Sequence, residues 1–201
     1  SLAIHAIGDR AIEQILAAME AALDALPDPG RRHRIEHCGW LNADQMDRMA
    51  ARHILPAPQP AFNYWFGDLY LSLIDEERAA SSYPMRTWME KGLHPSASTD
   101  CPVCEIDPMP CLYGMVTRKT NRGTTLGPHE ALSLEEALHA YTWAGAYGSK
   151  EEGLKGRLVP GQLGDVCVFS RDLFDAPPEA ILDTVCDMTI LGGDVVYERA
   201  C

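Results

Sequence analysis

The sequence predicts an α/β protein in which parallel strands are covered by helices through residues 1–152, with a smaller β module over residues 153–201. Three observations carry this expectation. Short apolar runs alternate with segments of helical period, strand then helix, through four successive units. The joints hold turn and cap residues, among them Gly8-Asp9, Pro27-Asp28-Pro29-Gly30 and Ser133. From Gly153 onward the pattern changes to short segments punctuated by Gly156, Pro160, Gly161 and Gly164.

Leu2 to Ile7 is a short apolar run broken only by His5, and it reads as the first strand. Asp9 is a suitable N-cap for a helix carrying Ile12, Ile15, Leu16, Met19, Leu23 and Leu26 on one face. Arg34 to Cys38 is the second strand, and Asn42 with Gln45 three residues on resembles a capping box ahead of Met46, Met49 and Ala50. His53 to Ala57 is a third run. The Pro- and aromatic-rich stretch Pro58 to Leu73 reads as a long functional loop whose stripe Trp65, Phe66, Leu69 and Tyr70 packs or walls a pocket. Pro84 opens a helix with Met85, Trp88 and Met89 on one face, closed by Gly92. His94 to Thr99 is the fourth strand candidate. Ser133 and Glu136 form a full capping box for a helix running to about Ser149. Asp165 to Ser170 is strand-like, and Gly192-Gly193 between Met188–Leu191 and Val195–Tyr197 signals a hairpin.

Composition narrows the function classes. With 201 residues, 46% hydrophobic and 23% charged, the chain has the balance of a globular protein of one domain, or one and part of a second. Its net charge of −12 repels phosphate backbones and anionic lipid heads, which argues against nucleic-acid and membrane-surface partners. No apolar run approaches the ~20 residues of a membrane helix, and no signal peptide is visible. The seven cysteines are an odd number and scattered, which fits free thiols in a reducing cytoplasm.

Three polar residues fall at the carboxyl ends of predicted strands: His5, His37 and Asp100. That edge of a parallel α/β sheet is where sites assemble, and two imidazoles with a carboxylate suit zinc or a similar divalent ion. A histidine at a strand end also serves as a hydrogen-bonded structural residue, and Asp100 before Cys101-Pro102 equally suits a turn. His33, His53, His94, His129 and His139 lie in charged turns, at strand starts or on a helix surface, and are weaker ligand candidates. Cys101, Cys104 and Cys111 lack a second cysteine pair for a structural zinc, and Pro108 and Pro110 do not suit a redox motif.

Taken in order, His5-Ala6-Ile7-Gly8-Asp9-Arg10-Ala11-Ile12, Arg34-Ile35-Glu36-His37 and Ser98-Thr99-Asp100-Cys101-Pro102-Val103 resemble the second half of the metal-dependent amidohydrolase superfamily, in the subgroup typified by N-substituted formamide deformylases. Gly156 to Val166 and Thr189 to Gly193 resemble the stretch that returns such chains to a small β-sandwich. The resemblance implies a fold made of strands five to eight of a TIM (β/α)8 barrel over residues 1–152 and a β-sandwich segment over 153–201. It implies metal ligation by His5 and His37, with Asp100 contacting the metal and shuttling a proton. The implied cofactor is a divalent metal such as zinc, and the implied reaction is hydrolysis of carbon–nitrogen bonds, other than peptide bonds, in small amide-like molecules.

Relatives of this kind begin with a His-x-His pair on strand one, and no such strand is found here, so the sequence is expected to be a fragment with an incomplete site that binds metal weakly and turns over little. Arg118 is open to two roles, substrate binding or support of the fold. A second reading is a catalytically inert half-barrel that forms homo-oligomers through exposed barrel edges.

Overall fold

The computed structural model describes residues 1–200. Its first half is a run of strand–helix units: β1 (Ala3–Ala6), α1 (Asp9–Ala25), β2 (Arg34–His37), α2 (Ala43–Arg52) and β3 (Leu55–Ala57). The three strands are parallel in the order β1-β2-β3, with Ile4 opposite Ile35 and Ile35 opposite Pro56. The helical period read from the sequence places Ile12, Leu16 and Met19 of α1 in the core beside Ile35, Met49 and Ile54. Removing each such side chain from water contributes about 2 kcal/mol. The start of α2 is a reciprocal cap: Asn42 Oδ1 accepts from the Gln45 N–H at 2.9 Å and Gln45 Oε1 accepts from the Asn42 N–H at 3.1 Å. At α1 the N-cap is Gly8 instead of the expected Asp9, whose carboxylate accepts from the neighbouring Arg10 N–H and pairs with Arg78 at 3.0 Å.

Pro58 to Leu73 is not a loop. Its larger part is α3 (Ala61–Leu73), whose apolar residues spread around the helix and whose Ala61, Phe62, Asn63 and Gly67 are buried. Phe62 meets Phe66 edge-on one turn away, with ring centroids 5.2 Å apart. Four further helices follow after a short one: α4 (Glu76–Ala80), then α5 (Met85–Glu90), α6 (Met109–Thr117), α7 (Leu134–Tyr141) and α8 (Trp143–Ser149). The helix expected from Ser133 to Ser149 is thus two, broken at Thr142, whose φ and ψ are −113° and −84°.

The expected half of a TIM barrel is not formed. The parallel sheet stops at three strands and stays open, because His94 to Thr99 does not join it as a strand. The Ser96 N–H reaches the Pro56 carbonyl at 3.4 Å, but the Ala97 N–H turns away to the Ala140 carbonyl of α7 at 3.0 Å. Pro56, Pro58 and Pro95 supply no donors to a ladder at this joint. Nor is the end of the chain a sandwich. β4 (Val166–Phe169), β5 (Cys186–Leu191) and β6 (Asp194–Glu198) make one separate three-stranded antiparallel sheet. Its hairpin turns at Gly192 and Gly193, with φ of 62° and 93°. Leu173 and Ile181 tie this region to the main core. Among the described residues no helix is long and apolar enough to cross a membrane.

Candidate metal centre

β1 and β2 run side by side, with Ala6 opposite His37 and His5 opposite Glu36, so both histidines reach the carboxyl edge of the sheet. Their rings meet edge-on with centroids 4.4 Å apart. His37 also faces Phe62 at 6.1 Å, which makes one wall apolar. The buried His37 Nδ1 has no hydrogen-bond partner. Burial, and then the neighbouring His5, hold the His37 imidazole below its usual pKa, against the opposing pull of Asp100 and Gln59. Such a ring is neutral near pH 7, the form that donates a lone pair to a metal.

Backbone strain gathers at the same edge. Outside glycine, positive φ occurs at His37 (66°), Cys38 (55°), Tyr83 (48°) and Asp100 (56°), while His53, Arg118 and Lys150 take it as helix C-caps. Residues held in this conformation are uncommon and cluster where a side chain must be aimed. Gly39 follows directly and lets Ile7 approach, since a Cβ there would stand 3.2 Å from Ile7 Cγ2 and 3.3 Å from the Ile7 carbonyl oxygen, with the Tyr83 hydroxyl at 3.4 Å. That buried hydroxyl has no partner.

Sequence reasoning missed Gln59, a buried amide just past the end of β3. Its Nε2 donates to the Ala57 carbonyl at 3.2 Å and to Ser98 Oγ at 3.1 Å, and Ser98 Oγ in turn donates to the Pro58 carbonyl. Those bonds leave Oε1 as an unpaired acceptor on the side of His37. A polar residue at the third strand end, between Pro58 and Pro60, is the signal that could have found it.

The arrangement fits a metal in part. Two imidazoles stand together, and the Nδ1 of His37 is orphaned, a donor set suited to zinc. Asp100 is exposed on the turn after Thr99 and acts on His37 through its charge, but among the described residues no three His, Cys, Asp or Glu side chains form a ready cage. Cys101 and Cys104 are free, and burial pushes the Cys104 thiol up to about 11, so they offer no thiolate pair near pH 7. A cleft of about 150 Å³ opens at the same edge, lined by Asp9, Trp40, Leu41, Asn42, Arg78 and Ser81, and does not include the histidines.

The chain has relatives among known proteins. The chain is 28% identical over 200 residues to the N-substituted formamide deformylase of Arthrobacter pascens, covering 99% of this chain and 37% of that protein. It is 30% identical over 198 residues to the protein LONG AFTER FAR-RED 3 of Arabidopsis thaliana, covering 98% of this chain and 34% of that protein. The chain therefore spans a little over a third of the length of these relatives. Among solved structures it superposes on an uncharacterized metal-dependent hydrolase from Pyrococcus horikoshii with a TM-score of 0.67 at 30% identity, over 80% of this chain and 32% of that one. The family model of amidohydrolases matches residues 1–197, histidine pair and C-terminal sheet included, and the chain belongs to the amidohydrolase family.

Proposed function

We propose that this chain contributes to a metal-dependent hydrolase of carbon–nitrogen bonds in small amide-like molecules, with residues 1–152 carrying the site and 153–201 forming an appended β module. The observation that carries the reading is the His5–His37 pair, edge-on at 4.4 Å on adjacent parallel strand ends, with the His37 Nδ1 buried and unpaired. Likeness to an N-substituted formamide deformylase supports N-formyl and N-acyl amines as the substrate class.

In this reading His5 and His37 each hold the metal through one ring nitrogen, and Asp100 adds a carboxylate oxygen. The divalent ion, when bound, activates water and polarises the amide carbonyl. Asp100 Oδ accepts the proton of the attacking water and delivers it to the departing amine nitrogen. Phe62, backed by Phe66, keeps the His37 side of the centre apolar, which strengthens the pull of each charge there.

Calorimetric titration of Zn²⁺ into the 201-residue chain tests the assignment. His5→Ala and His37→Ala are each expected to weaken binding at least tenfold, and unchanged binding in both would overturn the site. Amine release from N-formyl or N-acyl amines is expected to be slow in this chain, to need added metal, and to vanish in Asp100→Asn. Release that persists in a chelator counts against the reaction.

The outer sheet favours a second reading, self-association. Every residue of β6 is exposed, Val195, Val196 and Tyr197 among them, and β1 is an open edge of the parallel sheet. Size-exclusion chromatography with light scattering at micromolar concentration checks it, and a stable monomer would count against it.

A further inference from the structure

Two cysteines remote in sequence from the candidate metal ligands meet on the antiparallel sheet. Cys167 of β4 stands opposite Thr189 of β5, and Val168 stands opposite Met188. A regular ladder would continue with Phe169 opposite Asp187, turning Cys186 onto the other face of the sheet. The ladder instead shifts, and Cys186 takes the place opposite Phe169. One extra residue in β5 thereby moves Cys186 onto the face shared by Cys167 and Thr189. The result is direct contact: the two Sγ atoms are 3.3 Å apart, although the residues are 19 positions apart in the chain. Cys186 Sγ also lies 3.4 Å from Thr189 Oγ1 and 3.3 Å from the Met188 carbonyl oxygen, so its side chain is held in place. Cys167 is exposed and both are free thiols.

We propose that Cys167 and Cys186 form an oxidative modification site, which a small-molecule disulfide of the glutathione class converts into a cross-strand disulfide. The exposed Cys167, as its thiolate, attacks one sulfur of the reagent, forming a mixed disulfide and expelling one reagent thiolate. Cys186, deprotonated, then attacks the Cys167 sulfur and expels the second. The two protons lost by the cysteines go to the two expelled thiolates. Two protein thiols are oxidised and one reagent disulfide is reduced. The sulfurs must close to about 2.05 Å, a shift within reach of side-chain rotation between neighbouring strands. The bond would fix the shifted register of β4 against β5, a ladder that backbone hydrogen bonds alone hold over a few residues.

Incubation of the full chain with oxidised glutathione tests this. The intact mass is expected to fall by two hydrogens, and the thiols titrated in denaturant to fall from the seven of the sequence to five. Arg171 lies between the two cysteines, so a non-reducing tryptic map should show one linked peptide pair, Cys167 to Cys186, that separates on reduction. Cys186→Ser should stop at a stable glutathione adduct on Cys167, and Cys167→Ser should leave Cys186 without an intramolecular partner. Circular dichroism of each variant establishes that it is folded. Accumulation of the adduct in the unmodified sequence, or a bond that maps to Cys101 or Cys201 instead, would overturn the proposal.

Discussion

Arg118 is 2% exposed, and its guanidinium donates to the carbonyl oxygens of Leu126 at 2.8 Å, Ser82 at 2.9 Å and Tyr83 at 3.3 Å. Burial holds its pKa down at about 10, against the opposing charge of Glu130, so the group remains a cation near pH 7. With its donors committed to the backbone around Tyr83, Arg118 supports the fold, which decides between the two roles open in the sequence. Arg118→Met is expected to cost about 3 kcal/mol or more, because several buried carbonyls lose their donor together, and Arg118→Lys to recover only part. Urea denaturation measures both. Gln59→Leu acts differently: it removes an acceptor beside His37 and is expected to weaken zinc binding roughly 10- to 100-fold, and because the Ala57 carbonyl and Ser98 Oγ lose their donor it should also lower the urea midpoint, by less than Arg118→Met. Equal zinc affinity would show that Gln59 does not orient the ring. His5, His37 and Asp100 could be singled out because strand ends show as a change from apolar to polar residues. Gln59 shows in the sequence only as a polar residue between Pro58 and Pro60, and the left-handed backbone at Tyr83 does not show at all, because it depends on which loops meet at the sheet edge.

At the level of elements, local signals succeeded where they settle the backbone directly. Asn42 with Gln45 and Ser133 with Glu136 cap their helices reciprocally, as their spacing requires. Signals failed where tertiary contacts decide. α3 is apolar on nearly every side, so its period is faint, and His94-Pro95-Ser96-Ala97-Ser98-Thr99 offers few apolar side chains to hold a strand and divides its backbone bonds between Pro56 and Ala140 of α7. The break at Thr142 leaves His139, Trp143 and Tyr147 in one column, with centroid spacings of 4.9 Å, and Arg32 lies 3.7 Å from the Tyr147 ring. His94 meets Trp143 and Tyr147 edge-on, and lies 6.5 Å from His139. Burial lowers the pKa of both histidines, with His139 and Arg32 adding to the effect at His94 and Arg157 at His139, against a small opposing pull from Glu135. The unfolded chain therefore binds these protons more readily than the folded one. The stabilisation is present above the unfolded value near 6.5 and is lost as pH falls below it. The urea midpoint is expected to drop between about pH 7.5 and 5.5, and the double variant His94→Gln/His139→Gln to show a shallower drop. The slope should not vanish, since His33 and His37 are shifted the same way.

For the whole molecule, charge and apolar surface act against each other. A net charge of −12 makes any two copies repel. The C-terminal sheet nonetheless exposes Val168, Leu191, Val195, Val196 and Tyr197, and the parallel sheet has unpaired edges that a closed barrel would have removed. Salt separates the two forces, because the Debye length falls from roughly 30 Å at 0.01 M to about 10 Å at 0.1 M and 3 Å at 1 M, whereas apolar contact is not screened. If copies join through the apolar sheet, light scattering at fixed protein concentration should rise as sodium chloride is increased through this range. If they join through ion pairs, such as those Arg78 and Arg199 make within one chain, scattering should fall instead. Val196→Lys distinguishes the surface further. It lies on the fully exposed β6, so it should leave the fold intact and add a desolvation cost at the contact. It also lowers the net negative charge, so on electrostatics alone it would favour association. A fall in scattering at high salt in this variant, where repulsion is already screened, would therefore assign the contact to the sheet.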